Sequence, residues 1–121
     1  MKNENILHTK SKKFAIRIIN TFKYLQAEKR EYVLSKQILR SGTAVGALIK
    51  ESEFAQSKKD FLHKLYIALK EANETQYWLE LLHETEYISK IEFDSLSTDC
   101  IELLKLLVAI TKKLKENLDG N

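Results

Sequence analysis

Proline is absent from the 121 residues, and glycine occurs only three times. The chain therefore has almost none of the residues that interrupt helices or make tight hairpins. Its one cysteine, Cys100, excludes an intramolecular disulfide and fits a reducing compartment. No segment approaches the roughly 20 apolar residues that span a bilayer. The N-terminal stretch MKNENILHTKSKKF has no apolar run of signal-peptide length. Alternation of apolar and polar residues never lasts more than a few positions, so no strand pattern is present. A cytoplasmic, soluble, helical chain with no membrane partner is expected.

What is present is helical periodicity. The first helix is expected over 9–27, with Phe14, Ala15, Ile18, Ile19, Phe22 and Leu25 inward. A second is expected over 32–54, burying Leu34, Ile38, Val45, Leu48 and Ile49. The third, over 57–84, has Ser57 as cap and Asp60 at the positive end of its dipole. Its seam of Phe61, Leu65, Ala68, Ala72, Thr75, Leu79 and Leu82 alternates spacings of four and three, as heptads do. The fourth, over 89–118, opens on the capping box Ser89-Lys90-Ile91-Glu92. It buries Phe93, Leu96, Cys100, Leu103, Leu107, Ile110 and Leu114. Four helices with short loops predict an all-α, antiparallel up-down-up-down four-helix bundle, one domain over residues 1–121.

Further apolar residues flank the last two seams: Leu62, Tyr66, Leu69, Trp78 and Leu81, then Ile101, Leu104 and Val108. They make either a wide core stripe or a surface against a second copy.

Charge is divided along the chain. Residues 1–50 hold 11 Lys/Arg against three acids, a balance of +8; residues 51–121 hold nine against 14, a balance of −5. On a helical wheel Lys10, Lys13, Arg17 and Tyr24 fall within about 60°, and Lys36, Arg40 and Lys50 within about 80°. Two basic stripes on consecutive helices suit a polyanion, or else form an ordinary solvated face.

Catalytic and metal signatures do not assemble. Glu80-Leu-Leu-His83 has the spacing used by di-iron bundles, and Asp60-Phe-Leu-His63 is a looser version. Both lie on one helix about 30 Å apart and cannot share a centre within one subunit. Cys100 sits on a seam, where a thiol is a small core residue. No catalytic residue, metal or cofactor is expected. In Asn73-Glu74-Thr75, polar groups beside Ala72 are expected to fix helix register.

The stretch "RSGTAVGALIKES" places Gly42 and Gly46 about 40° apart on one helix flank and Ser41 on the other. Small residues four apart admit a second backbone. Another helix is expected to cross there, from the Ala68/Ala72 region or a neighbouring subunit, and leucine at 46 to disrupt bundle or oligomer.

"LSKQILRSGTAVGALIKES", "AQSKKDFLHKLYIALKEANETQYWLELL" and the Tyr87–Leu118 helix resemble the small four-helix-bundle proteins encoded within intervening sequences of 23S ribosomal RNA genes. Related chains include accessory variability proteins of diversity-generating retroelements. The resemblance implies a homopentamer shaped as a short barrel. The retroelement relatives associate with a reverse transcriptase and bind nucleic acid through positive surface. It carries over no catalytic residue, but a helix-packing or oligomer motif: Arg40, Ser41, Gly42 and Gly46, with Glu71, Asn73, Glu74, Tyr77 and Trp78. The expected function is a non-enzymatic, oligomeric accessory protein binding RNA or DNA through Lys10, Lys13, Arg17, Lys36, Arg40 and Lys50. The alternative is a protein-interaction scaffold that docks an acidic partner or a neighbouring subunit.

Overall fold

A computed structural model describes the backbone of residues 2–120 and the side chains of residues 5–120. Four helices follow one another: α1 (Lys2–Ala27), α2 (Leu34–Ser52), α3 (Lys58–Glu84) and α4 (Lys90–Asp119). Each packs on the next in an up-down-up-down bundle, and α1 and α4 close the ring with the thinnest contact.

The buried seams follow the heptad spacing. In α3, Leu65, Ala68, Ala72, Thr75, Leu79 and Leu82 are inside; in α4, Leu96, Cys100, Leu103 and Leu107 are. α2 contributes Ile38, Val45 and Ile49. α1 starts seven residues earlier than expected, because Leu7 prolongs the seam of Ser11, Phe14, Ile18 and Leu25 by one more turn. Ile19, expected inside, is 37% exposed. It lies one residue, and so about 100°, round from Ile18, which alone faces the centre.

The helix ends are set by side chains. Ser57 Oγ accepts from the Asp60 amide at 3.1 Å. At α4 the expected box is complete: Glu92 N–H donates to Ser89 Oγ (3.1 Å) and Ser89 N–H to Glu92 Oε1 (2.9 Å). α2 is two residues shorter at each end than expected. Glu31 folds forward and its carboxylate accepts from the amides of Val33, Leu34 and Ser35 at 2.7–3.1 Å. Burial pushes this carboxyl up, but the three amides together outweigh it and hold it below the usual glutamate range. Phe54, beyond the other end, is 86% exposed.

Two turns use left-handed residues that are not glycine, Arg30 (φ 52°) and Glu86 (φ 68°). At Glu86 the Tyr87 amide reaches back to the Leu82 carbonyl (2.9 Å) and the Glu86 amide to that of His83 (3.0 Å). This is a Schellman C-cap.

Candidate nucleic-acid interface

The fold turns part of the basic stripes inward, onto acids of the same chain. In α1, Arg17 Nη1 donates to Asp99 Oδ2 (2.7 Å) and to the Ser95 carbonyl (3.2 Å), while Nη2 donates to Ser95 Oγ (2.8 Å). Lys10 pairs with Glu102 at 3.0 Å. Two of that stripe's three cations thus bind α4, and they latch the thin α1–α4 seam. In α2, Arg40 forks onto Glu71 (3.0 and 3.1 Å) and also binds Glu74. Its bond to Glu71 holds the guanidinium charged even more firmly than usual, and the bond to Glu74 adds to this, against the opposing effect of burial. Glu74 accepts from Trp78 Nε1 at 3.1 Å, and the Tyr77 and Trp78 rings stand 5.3 Å apart. Lys50 meets Glu53 at 3.4 Å. Of the six cations expected to face a ligand, Lys13 and Lys36 have no carboxylate partner among the described residues.

The charge asymmetry of the chain is therefore in part an internal complementarity, carried by Lys10, Arg17, Arg40 and Lys50. α3 and α4 flank α2 and α1, so their acids lie beside the first half's arginines. Sequence position alone does not reveal which arginine meets which acid, since the partners are 31 to 82 residues apart.

Lys12 and Lys23 lie outside the two basic stripes of the helical wheel and are exposed without ion pairs among the described residues. A signal existed: with Ile16 and Ile19 they make a second row spaced four, three, four, on the side of α1 opposite its core. Ile16 is about half exposed. Neither helix carries a carboxylate between Asn5 and Ala27 or between Leu34 and Lys50. The outer face of α1 and α2 is thus basic through Lys12, Lys13, Lys23 and Lys36, and through Lys50, which Glu53 partly neutralises.

The glycine motif is resolved, with one correction. The helix that crosses Gly42 and Gly46 is α1, through Ile18 and Ser11 respectively. Of the two partners expected there, the Ala68/Ala72 region or a neighbouring subunit, the former faces the centre of the bundle, whereas the glycines sit on the flank toward α1. Ser41, on the other flank, meets α3: Thr75 Oγ1 lies 2.8 Å from Ser41 Oγ and 2.8 Å from the Glu71 carbonyl. This buried pair, Gln76 Nε2 donating to Ser97 Oγ at 2.8 Å and the Cys100 thiol donating to the Ala72 carbonyl are polar contacts between seams. Asn73, expected to fix register, points to solvent.

Catalytic groups do not converge among the described residues. Cys100 is buried, its thiol donates to the Ala72 carbonyl at 3.3 Å, and burial, with the charges of Asp99 and Glu80, pushes it up to about 12. A thiol so protonated is a poor nucleophile. The described residues contain no group of three or more His, Cys, Asp or Glu that could hold a metal. His83 stacks on Phe93 at 4.6 Å instead. No described helix is long and apolar enough to cross a membrane.

These features define a class: an antiparallel four-helix bundle whose polar surface is organised by charge. The chain belongs to the family described as 23S rRNA-intervening sequence protein, whose model matches residues 3–109. It is also similar to a crystal structure of a protein of unknown function from the S23 ribosomal protein family of Bacteroides thetaiotaomicron. The two share 55% identity over 91% of this chain and 98% of that one, with a TM-score of 0.90. Comparison with curated proteins yields no match.

Proposed function

We propose that this protein is a non-enzymatic, self-associating accessory factor that binds RNA or DNA through the outer face of α1 and α2. The observation that supports it is the row of exposed lysines on that face, Lys12, Lys13, Lys23 and Lys36, without ion pairs among the described residues. Unpaired lysines release counterions when they meet phosphates, which gives strong, salt-sensitive affinity with little sequence preference. The family's description, which names 23S rRNA, agrees with a nucleic-acid setting.

A salt series with labelled RNA and DNA tests this reading. Log affinity is expected to fall linearly with log salt, with a slope of about −0.7 to −0.9 per phosphate neutralised. Absence of binding at low salt, or binding untouched by joint Lys12→Glu and Lys36→Glu substitution, overturns it. Arg17 and Arg40 are unsuitable probes, because reversing them also breaks contacts within the chain.

Self-association rests on a separate observation. Ile101 and Val108 are 39% and 51% exposed, and Val108 shares a shallow groove between α3 and α4 with Tyr66 and Leu69. An apolar strip of this kind on a bundle suits a second copy. By resemblance the assembly is a homopentamer, and a reverse transcriptase is a protein partner to test. Light scattering that reports a stable 14.1 kDa monomer at micromolar concentration refutes self-association. The scaffold reading instead has the basic stripes of α1 and α2 dock an acidic partner or the acidic half of a neighbouring subunit. A partner captured with the protein and retained after nuclease treatment favours it.

A further inference from the structure

Gly46 weakens α2 by about 1 kcal/mol relative to alanine, yet packing within the subunit does not require it. A Cβ there would stand 3.4 Å from the Ser11 carbonyl oxygen, an ordinary contact. Gly42, one turn earlier, has no such room. What Gly46 does is keep low the floor of a groove of about 630 Å³ between α1 and α2. Lys12 stands on the α1 side and Lys50 on the α2 side; His8 and Glu53 close one end. Glu53 is shared between His8 (3.3 Å) and Lys50 (3.4 Å), while Lys12 has no carboxylate among the described residues.

Of the three hydroxyls lining this groove, those of Thr43 and Ser11 are committed and, among the described residues, that of exposed Thr9 is not. Thr43 Oγ1 donates to the Leu39 carbonyl at 2.7 Å and Ser11 Oγ to that of His8 at 3.1 Å. The cationic donors are the ammonium groups of Lys12 and of Lys50, the latter shared with Glu53, and they act as mobile point charges rather than as a fork that reads a base edge.

We propose that the groove over Gly46 seats a backbone phosphate of the bound nucleic acid, held by Lys12 and Lys50 from its two walls. The glycine lets the phosphate sink between the helices, and the lysines reach it from both sides. Glu53 sets a limit on affinity by neutralising part of Lys50. This site rests on the reading of α1 and α2 as the nucleic-acid face, and it adds the point on that face where a phosphate is seated.

The test is a titration of fluorescein-labelled mixed-sequence single strands and duplexes with the full chain, at about 50 and 200 mM salt. Variants Lys12→Glu, Gly46→Gln and Gly46→Ala are compared with Glu53→Gln and with Lys105→Glu, an exposed change on α4. Thermal melts followed by circular dichroism establish that each variant is folded. Lys12→Glu and Gly46→Gln are expected to weaken binding about tenfold, with Lys12→Glu lowering the salt slope by about one. Glu53→Gln is expected to tighten it several-fold, Gly46→Ala to weaken it less than Gly46→Gln, and Lys105→Glu to leave it within about twofold. Wild-type binding that Gly46→Gln and Lys12→Glu leave intact overturns the groove and spares the broader reading. Wild type that binds neither RNA nor DNA overturns both. Gly46→Gln that changes the mass by light scattering, with oligonucleotide affinity unchanged, makes the occupant a protein and overturns the phosphate assignment.

Discussion

The side chain of Ile18 occupies the space that a Cβ on Gly42 would need: its Cγ1 and Cγ2 lie 2.8 and 2.9 Å from that position. Ile18 is fully buried and branched at Cβ, so it has little freedom to withdraw. α1 and α2 are consequently in near contact at this level, and the glycine is a steric requirement.

Gly42→Ala and Gly46→Ala should therefore move stability in opposite directions. The first gains about 1 kcal/mol of helix propensity but overpacks Ile18 at a cost of roughly 1–3 kcal/mol, so it should lower the melting temperature. The second gains the propensity with ordinary contacts and should raise it by a few degrees. Calorimetry of the two variants checks the signs.

Ser41 and Thr75 should be energetically coupled across the α2–α3 seam. Thr75→Val leaves the buried Ser41 hydroxyl without its partner and is expected to cost about 1–3 kcal/mol. Ser41→Ala with Thr75→Val should cost less than the sum of the two single changes. A double-mutant cycle by urea denaturation measures the difference, and strict additivity would count against the pair.

Glu31 should make stability fall on the acid side. Its folded carboxyl titrates below the ordinary value of 4.5, because amide donors favour the charged form. The stabilisation is complete above that ordinary value and is lost as pH falls through the lowered one. Glu31→Ala should cost about 0.5–2 kcal/mol at neutral pH, as loss of a helix cap does. Glu31→Gln should flatten that part of the acid limb in a pH series of melts.

Arg40 should be irreplaceable by lysine in its local role. Lys keeps the charge but loses the fork that spans Glu71 and Glu74. The side chain is 52% exposed, so the expected loss is modest, below about 1 kcal/mol. Trp78 is the only tryptophan and shares Glu74 with Arg40. Its emission should therefore shift in Arg40→Lys even where stability scarcely changes.

Glycine should suit the α3–α4 turn better than the native residue. Glu86 sits in the left-handed region at φ 68°, where a Cβ is unfavourable. Glu86→Gly is expected to stabilise by about 0.5–1 kcal/mol in chemical denaturation, while Glu86→Val should destabilise.

Particular residues show how far the sequence reading reaches. The α3 seam from Leu65 to Leu82 was legible as four-three spacing, and the Ser89–Glu92 box as a motif, because both are local patterns of a few turns. Ile19 was misplaced because its apolar character does not reveal which side of a helix lacks a neighbour. The candidate interface was only half legible. Helical wheels grouped Lys36 with Arg40 and Lys13 with Arg17, but a wheel contains no second helix and so cannot remove a cation that another element neutralises.

The four helices, their seams and caps, and the antiparallel order that short loops impose are all written in the chain. Each depends on interactions within a few turns or on chain connectivity. Packing between helices sets the rest: α1 crosses Gly42, Ser41 faces Thr75, and Arg17 and Arg40 are held by α4 and α3 while Lys12, Lys13, Lys23 and Lys36 remain without ion pairs among the described residues. Those outcomes depend on the rotation of each helix about its axis. Close packing of side chains from different helices sets that rotation, and the pattern along one helix does not contain it.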